Sequence, residues 1–110
     1  MNIGKSLAQM TGLDPHHYEV VYRLHATNRM FNRGFTRDDV MRNLETGIVA
    51  EEYPDDFPFP SILLNGVTAN GRPTHLVAGI DSGEKRLYII TVYEPDSSIW
   101  TDRFSKRKRV

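Results

Sequence analysis

Hydrophobic and polar residues alternate with different periods along this chain, and each change of period predicts a new structural element. Residues 18–24 alternate with the two-residue period that is typical of a β-strand. A helix is predicted from about His25 to Asn32, and Gly34 is expected to end it in the left-handed conformation. Thr36 is then a good N-cap for a second helix, which Gly47 is expected to close.

The second half of the chain is rich in strand-forming residues. The predicted strands are residues 48–53 (a strand or an extended arm), 61–68, 74–80 and 87–93. The last of these has the highest β-propensity, so it is predicted to be the central strand. Asn70-Gly71 favours a two-residue type I′ hairpin turn, which would pair His75 with Gly66.

The order of these elements predicts the fold class. One strand, two helices and three or four strands follow one another, and strands that are joined by tight turns must be antiparallel. We therefore expect an α+β fold in which two short helices pack on one face of a small, mainly antiparallel sheet. Residues 1–17 are interpreted as an N-terminal arm or short helix, and residues 18–110 as a single domain with a basic C-terminal tail.

Composition narrows the function classes. The chain has 110 residues, 39% of them hydrophobic, which suits one domain with a modest core. Fourteen basic and fourteen acidic residues give a net charge of zero, which excludes a uniformly basic nucleic-acid coat but not a local basic patch. The absence of cysteine excludes disulfides, thiolate metal sites and a cysteine nucleophile. The sequence shows no secretory signal and no membrane-spanning run of about 20 apolar residues, so a cytoplasmic protein is expected.

Four-residue spacing places three basic residues on one face of the first long helix. They are His25, Arg29 and Arg33. Guanidinium groups bind phosphate oxygens bidentately, and imidazole moves protons near neutral pH, so this face suits a phosphodiester. The same spacing also fits a solvated basic stripe with no ligand. The histidine spacings contain no metal-binding motif and the glycines form no nucleotide-binding loop, so we expect neither a metal nor a cofactor.

Two predicted strands carry further candidates. His75 lies in an apolar strand, where it is either a ligand-facing residue with space above it or a hydrogen-bonded structural histidine. Thr91 and Tyr93 are expected on the same strand face as Leu87 and Ile89. Their hydroxyls could donate hydrogen bonds to a phosphate, or the two residues could be present only because they favour strands.

Charge is separated along the chain. Residues 51–56 contain four acidic and no basic residues, whereas residues 106–109 are all basic. Lys106 and Arg107 could therefore grip an RNA backbone or an acidic partner. A frayed, solubilising end is the alternative for this tail.

Three motifs together resemble a known family. They are HAxxRMxxRGF at residues 25–35, GRPxHLV at residues 71–77, and ITVYxP at residues 90–95 with Trp100 after it. In this order they resemble the small bacterial domain-of-unknown-function family 4258, over a match from about Tyr18 to Arg109. Members of that family are similar in element order to ribonuclease toxins of the RelE and barnase type. Some are encoded beside a zinc-finger antitoxin of the kind that is paired with the MqsR toxin.

This resemblance implies a metal-independent endoribonuclease of a toxin–antitoxin system, with RNA and an antitoxin as partners. The residues it assigns as catalytic are His25 and His75 for proton transfer and Arg29 for the phosphate. It also assigns Arg33 to the phosphate and Thr91 as a possible hydrogen-bond donor to it. Tyr93 on the strand, with Lys106 and Arg107 in the tail, completes the candidate substrate-binding residues from the sequence pattern. The mechanism requires that the catalytic residues converge on one cleft.

Two other functions remain open. A non-catalytic interaction module would offer a sheet edge or a homodimer interface to a protein, and its histidines would be structural. A regulator that binds nucleic acid through its C-terminal tail is the third candidate.

Overall fold

The computed structural model describes residues 4–101 and 103–108, so Arg109 of the basic tail and residues 1–3 of the arm lie outside the described residues. The elements in chain order are α1 (Leu7–Thr11), a 3₁₀ turn (Pro15–His17), β1 (Glu19–Tyr22), α2 (Leu24–Arg33), α3 (Arg37–Thr46), β2 (Ile48–Tyr53), β3 (Ser61–Val67), β4 (Pro73–Asp81), β5 (Arg86–Tyr93), β6 (Trp100–Thr101) and β7 (Lys106–Arg107). Among these residues, no helix is both long enough and apolar enough to cross a bilayer.

The main sheet of the described chain has five strands in the order β1-β5-β4-β3-β2. β1 runs parallel to β5, and the other neighbours are antiparallel, which confirms the predicted α+β class with a mainly antiparallel sheet. The prediction that β5 is central was wrong, because β4 occupies the middle. High β-propensity reflects burial between neighbours, and β5 has that burial without being central, since β1 covers one of its edges.

The two long helices pack on one face of the sheet, as predicted. Residues four apart supply the buried face of each helix: Ala26 and Met30 in α2, and Val40 and Leu44 in α3. They join one apolar core with side chains from the strands beneath, including Leu64, Leu76, Ile89 and Val92.

Local signals set the ends of these helices. Gly34 follows α2 with φ 73°, a left-handed conformation that glycine adopts without strain, and its N–H bonds back to the carbonyl of Met30. Thr36 begins α3 through a reciprocal capping box with Asp39, in which each side chain accepts a hydrogen bond from the other residue's backbone N–H.

The turn between β3 and β4 differs from the prediction by one residue. Thr68 and Arg72 pair across it (N···O 2.9 Å), and Gly71 adopts φ 85°, so the loop has three residues and not two. The register therefore shifts by one, and His75 pairs with Asn65 instead of Gly66. The predicted open space above His75 opposite a glycine is thus absent.

A bulge in β5 changes which residues share a face. Val77 pairs with Thr91 and Ala78 with Ile89, so Ile90 is an extra residue in the ladder. Val92 joins Ile89 in the helix-side core, and alternation puts Thr91 on the other face. The prediction that Thr91 and Tyr93 share a face with Leu87 and Ile89 was therefore wrong.

β6, β7 and the turn residues 103–105 form a small hairpin, which we call the C-terminal hairpin. β6 and β7 pair antiparallel. Trp100 packs into a second apolar cluster with Ala50 and Leu63, and Phe104 packs against that cluster. The described part of the tail is thus docked on the sheet face opposite the helices.

Candidate functional site

Helix α2 has a basic face that follows β5. The helix contains no acidic residue, and its His25, Arg29 and Arg33 side chains are all exposed. Its two ends both meet β5: His25 lines a cleft together with Ile90, and Arg33 Nη1 donates a 2.8 Å hydrogen bond to the carbonyl of Val92. Because residues four apart lie one turn apart on one face, Arg29 lies between these two contacts along the helix.

Arg33 and Thr91, which are both candidate substrate-binding residues, lie close together. Arg33 Nη1 lies 3.5 Å from Thr91 Oγ1 as well as 2.8 Å from the carbonyl of Val92. β1 pairs with β5 only as far as Ile89, so no described strand pairs with the part of that edge after Ile89. Arg33 satisfies one of the carbonyl groups on this open edge. Arg29 has no hydrogen bond or ion pair within the described part of the chain.

A concavity lies at the N-terminal end of α2, and we call it the β5 cleft. It has a volume of about 350 Å³, and its lining residues are Arg23, His25, Asp56, Phe57, Pro58, Phe59, Gly79, Tyr88 and Ile90. Ala78 and Ile80 point into the core beneath the helices, so Gly79 faces the opposite side of the sheet. The cleft therefore opens on the sheet face away from the helices, where the corner between β1 and α2 meets the loop after β2.

An aromatic pair forms one side of this cleft. Phe59 and Tyr88 stack with their ring centroids 5.3 Å apart and their planes 4° from parallel. The Arg23 guanidinium carbon lies 5.0 Å from the Tyr88 ring centroid, which is a cation–π contact. Phe57 extends into solvent with 94% of its surface exposed. The side chain of Tyr88 also hydrogen-bonds to Arg86 and raises the pKa of that guanidinium.

Sequence reasoning missed Arg23, Phe57, Phe59 and Tyr88 as members of a site. A signal was present in the segment before β3, where two phenylalanines lie between prolines in a stretch with no strand or helix pattern. Aromatic side chains in such a loop have no regular element that would direct them into the core. They are therefore candidates for a binding surface.

His75 lies elsewhere, beneath the C-terminal hairpin. It is completely buried, its Nε2 is 2.8 Å from the carbonyl oxygen of Phe104, and its Nδ1 is 3.2 Å from the hydroxyl of Tyr93. A carbonyl only accepts hydrogen bonds, so Nε2 carries the proton and Nδ1 accepts from Tyr93. Burial lowers the pKa of His75, which favours the neutral ring. His25 lines the β5 cleft, whereas His75 and Arg29 do not.

The predicted tail residue Arg107 is engaged within the fold. It donates two hydrogen bonds to Glu51 in β2, at 2.7 and 3.1 Å, and its guanidinium carbon lies 4.7 Å from the Trp100 ring centroid. Although partial burial alone would raise it, hydrogen bonds from Arg107 and Tyr53 hold the pKa of Glu51 below its ordinary value. Burial and the bond to Glu51 raise the pKa of Tyr53 to about 12. Lys106 lies in β7 opposite Thr101.

The described residues that line the cleft provide polar and aromatic side chains but no cluster of metal ligands. Within residues 4–101 and 103–108, no group of three His, Asp or Glu side chains is placed to hold a metal ion. The cleft combines a guanidinium, an imidazole, a phenol and aromatic rings, of which the Phe57 ring is exposed. These groups can bind an anion, transfer a proton and stack on a planar ring.

Comparison with known proteins identifies one similarity. The family model described as "Domain of unknown function (DUF4258)" matches residues 22–94, which is well over half of the chain. Neither a curated protein nor a solved structure matches the chain significantly. The matched segment runs from the end of β1 to the residue after β5, so it includes α2 and all of the residues that line the cleft.

Proposed function

The chain belongs to the DUF4258 family, and from this premise and the geometry of the β5 cleft we propose that it is a metal-independent endoribonuclease of the toxin type. One observation carries the proposal: an exposed histidine, His25, lines a cleft together with a guanidinium and aromatic rings. Cleavage of an RNA strand requires this combination of phosphate binding, proton transfer and base stacking. The cleft supplies each of these functions from a different residue.

The reaction divides between two proton carriers in the cleft. The His25 imidazole accepts the proton of a ribose 2′-hydroxyl, and the freed oxygen attacks the neighbouring phosphorus. The bond from phosphorus to the 5′-oxygen breaks, which leaves a 2′,3′-cyclic phosphate on one fragment. The departing 5′-oxygen takes the hydroxyl proton of Tyr88 and becomes a 5′-hydroxyl. Tyr88 takes the role that the resemblance gave to His75, because the His75 ring is buried and both of its nitrogens are already hydrogen-bonded.

Arginines stabilise the extra negative charge of the transition state. Arg23 lines the cleft beside His25, and Arg29 projects from the next turn of α2 without a competing partner in the described structure. Their guanidinium groups suit phosphate oxygens geometrically, and such contacts are strongest where charge develops. Arg33 and Thr91 extend this surface along β5 toward the next phosphate. Tyr93, Lys106 and Arg107 have no role in the proposed reaction.

The test is cleavage of a defined single-stranded RNA in EDTA. Loss of a positioned acid or base typically costs about 10²- to 10⁴-fold in rate, so we expect His25→Ala to lose at least 100-fold. His17→Ala is the matched control, because His17 is also an exposed histidine but lies before β1, away from the cleft. Products that end in 2′,3′-cyclic phosphate support the mechanism. Wild-type protein that is folded and leaves the RNA intact contradicts the proposed activity.

A toxin that cleaves RNA acts in the cytoplasm and needs an inhibitor, so the proposal includes that location and the zinc-finger antitoxin that the resemblance implies. Induced expression of the wild-type chain in bacteria without an antitoxin should stop growth, and expression of His25→Ala should not. Equal growth with both chains, at equal protein levels, would contradict the toxin part of the proposal.

An interaction module is the second candidate, and the outer face of α2 favours it. Leu24 and Phe31, seven residues apart and so on the same face, are 77% and 85% exposed. Apolar side chains in such positions are typical of surfaces that another protein covers. If the folded protein cleaves no RNA but is dimeric by light scattering, and Phe31→Ser makes it monomeric, this second function would replace the first.

A further inference from the structure

We infer that the β5 cleft contains a subsite for one unstacked nucleobase of single-stranded RNA, with Phe57 as its stacking residue. This inference rests on the proposed function and adds the part of the substrate that the cleft selects. The floor, the wall and the rim of the cleft each support it through different residues.

The floor of the subsite exists because residue 79 has no side chain. Gly79 lies in the middle of the sheet, where its backbone does not require glycine, since it is not among the residues with positive φ. A Cβ at this position would meet Ile90 and Tyr88 at 3.8 Å, an ordinary contact distance. Alanine would therefore fit, whereas a longer side chain would project over the sheet into the cleft. The glycine keeps the sheet surface open for a flat ligand.

The wall is aromatic and already ordered. Tyr88 is held between contacts with Phe59 and Arg23, so its ring keeps one orientation without a ligand. Phe57 is different, because it lines the same cleft yet exposes 94% of its surface to water. Its ring is therefore available to stack on an incoming base. Aromatic stacking of this kind tolerates any of the four bases, since each has a π-face.

Charges lie at the rim of the cleft. Arg23 and His25 border the opening, while the carboxylate of Asp56 accepts a hydrogen bond from Ser61. A nucleotide with its base over Gly79 therefore has the Arg23 guanidinium near its phosphates. A base within a duplex is stacked on both faces and paired along one edge, so the subsite selects single-stranded RNA. An aromatic side chain of a partner protein would match the wall but would leave the Arg23 guanidinium without an anionic counterpart.

Binding of an uncleavable RNA tests this assignment. We would measure the fluorescence anisotropy of a labelled 2′-O-methyl RNA oligonucleotide with the full chain and two phenylalanine variants. Loss of one stacked base typically weakens binding by about 5- to 150-fold, and we expect that loss for Phe57→Ala. Phe31→Ala is the matched control, because Phe31 is 85% exposed but lies outside the cleft. Its dissociation constant should stay within about twofold of the wild-type value.

A second variant and a second ligand separate the outcomes. Gly79→Leu should weaken binding as Phe57→Ala does, whereas Gly79→Ala should not. An oligonucleotide with one abasic site in the bound register should bind wild-type protein weakly and lose nothing more with Phe57→Ala. If the wild type binds RNA and Phe57→Ala binds equally well, the subsite is wrong but the proposed function stands. If wild-type protein neither binds nor cleaves RNA, both are wrong, and an interaction with a partner protein becomes the explanation for the exposed rings.

Discussion

Truncation of His75 tests the role that the structure gives this residue. His75→Ala removes a completely buried ring that hydrogen-bonds to the carbonyl of Phe104 and the hydroxyl of Tyr93. The same ring packs perpendicular to Trp100, with the two ring centroids 4.5 Å apart. We expect the variant to loosen the C-terminal hairpin from the sheet before the rest of the domain unfolds.

The magnitude follows from these contacts. Two lost hydrogen bonds cost about 1 kcal/mol each, and the cavity left by the ring adds about 1 to 2 kcal/mol. The total is about 3 to 4 kcal/mol. The hairpin is sensitive to this loss because its turn residues Arg103 and Phe104 have φ of 56° and 69°, conformations that cost roughly 1 kcal/mol or more each outside glycine. Asn65 Nδ2 donates a 2.9 Å hydrogen bond to the carbonyl of Arg103. In the variant, this bond would have to hold the turn without the hydrogen bond from His75 to Phe104.

The single tryptophan makes the effect measurable. Trp100 is 4% exposed and lies in the hairpin, so its fluorescence reports the hairpin, whereas far-UV circular dichroism reports the whole domain. In urea, His75→Ala should show a red-shifted Trp100 transition at lower denaturant than the circular dichroism transition. His75→Gln, which can still donate to the carbonyl of Phe104, should lie closer to the wild type.

Two results would refute this reasoning. If His75→Ala unfolds at the wild-type midpoint with unchanged Trp100 emission, other contacts such as the Arg107–Glu51 pair hold the hairpin. If His75→Gln is stable but loses RNA cleavage as His25→Ala does, His75 takes part in the reaction. The structural role predicts instead that stable His75→Gln keeps activity within a few-fold of the wild-type rate.

Three further predictions concern stability. Burial lowers the pKa of His75 below 6.5, so as the pH falls the unfolded chain protonates this ring before the folded chain does. The free energy of unfolding should therefore fall as the pH drops below about 6.5. His75→Gln should flatten this slope between about pH 7.5 and 5.5. Gly66→Ala should destabilise by about 1 to 3 kcal/mol in urea, because its Cβ would lie 2.6 Å from Asn43 Oδ1; an effect no larger than that of Gly79→Ala would contradict this. Arg33→Met should lower the melting temperature, because it removes the hydrogen bond to the Val92 carbonyl. If the decrease in melting temperature is the same at low and high salt, the lost hydrogen bond and not a surface charge effect causes it.

The structure explains why some parts of the site were predictable. Gly34 and Thr36 end and begin helices through contacts within a few residues, so local sequence determines the positions of both long helices. Once α2 is placed, its four-residue spacing puts His25, Arg29 and Arg33 on one face. That half of the candidate site follows from the sequence by itself, together with the α+β class and the mainly antiparallel sheet.

The remaining features depend on contacts between residues far apart in the chain. One extra residue in the β3–β4 loop moved His75 opposite Asn65, and one bulged residue, Ile90, reversed the faces of the positions after it. Side chains alternate between the two faces of a strand, so each single-residue shift moves the following side chains to the opposite face. Local propensity does not detect such a shift. Tertiary structure alone decided that His75 lies beneath the C-terminal hairpin. It alone also brought Phe57 from an irregular loop to the cleft of His25, because distant packing and not local sequence determines where such a loop rests.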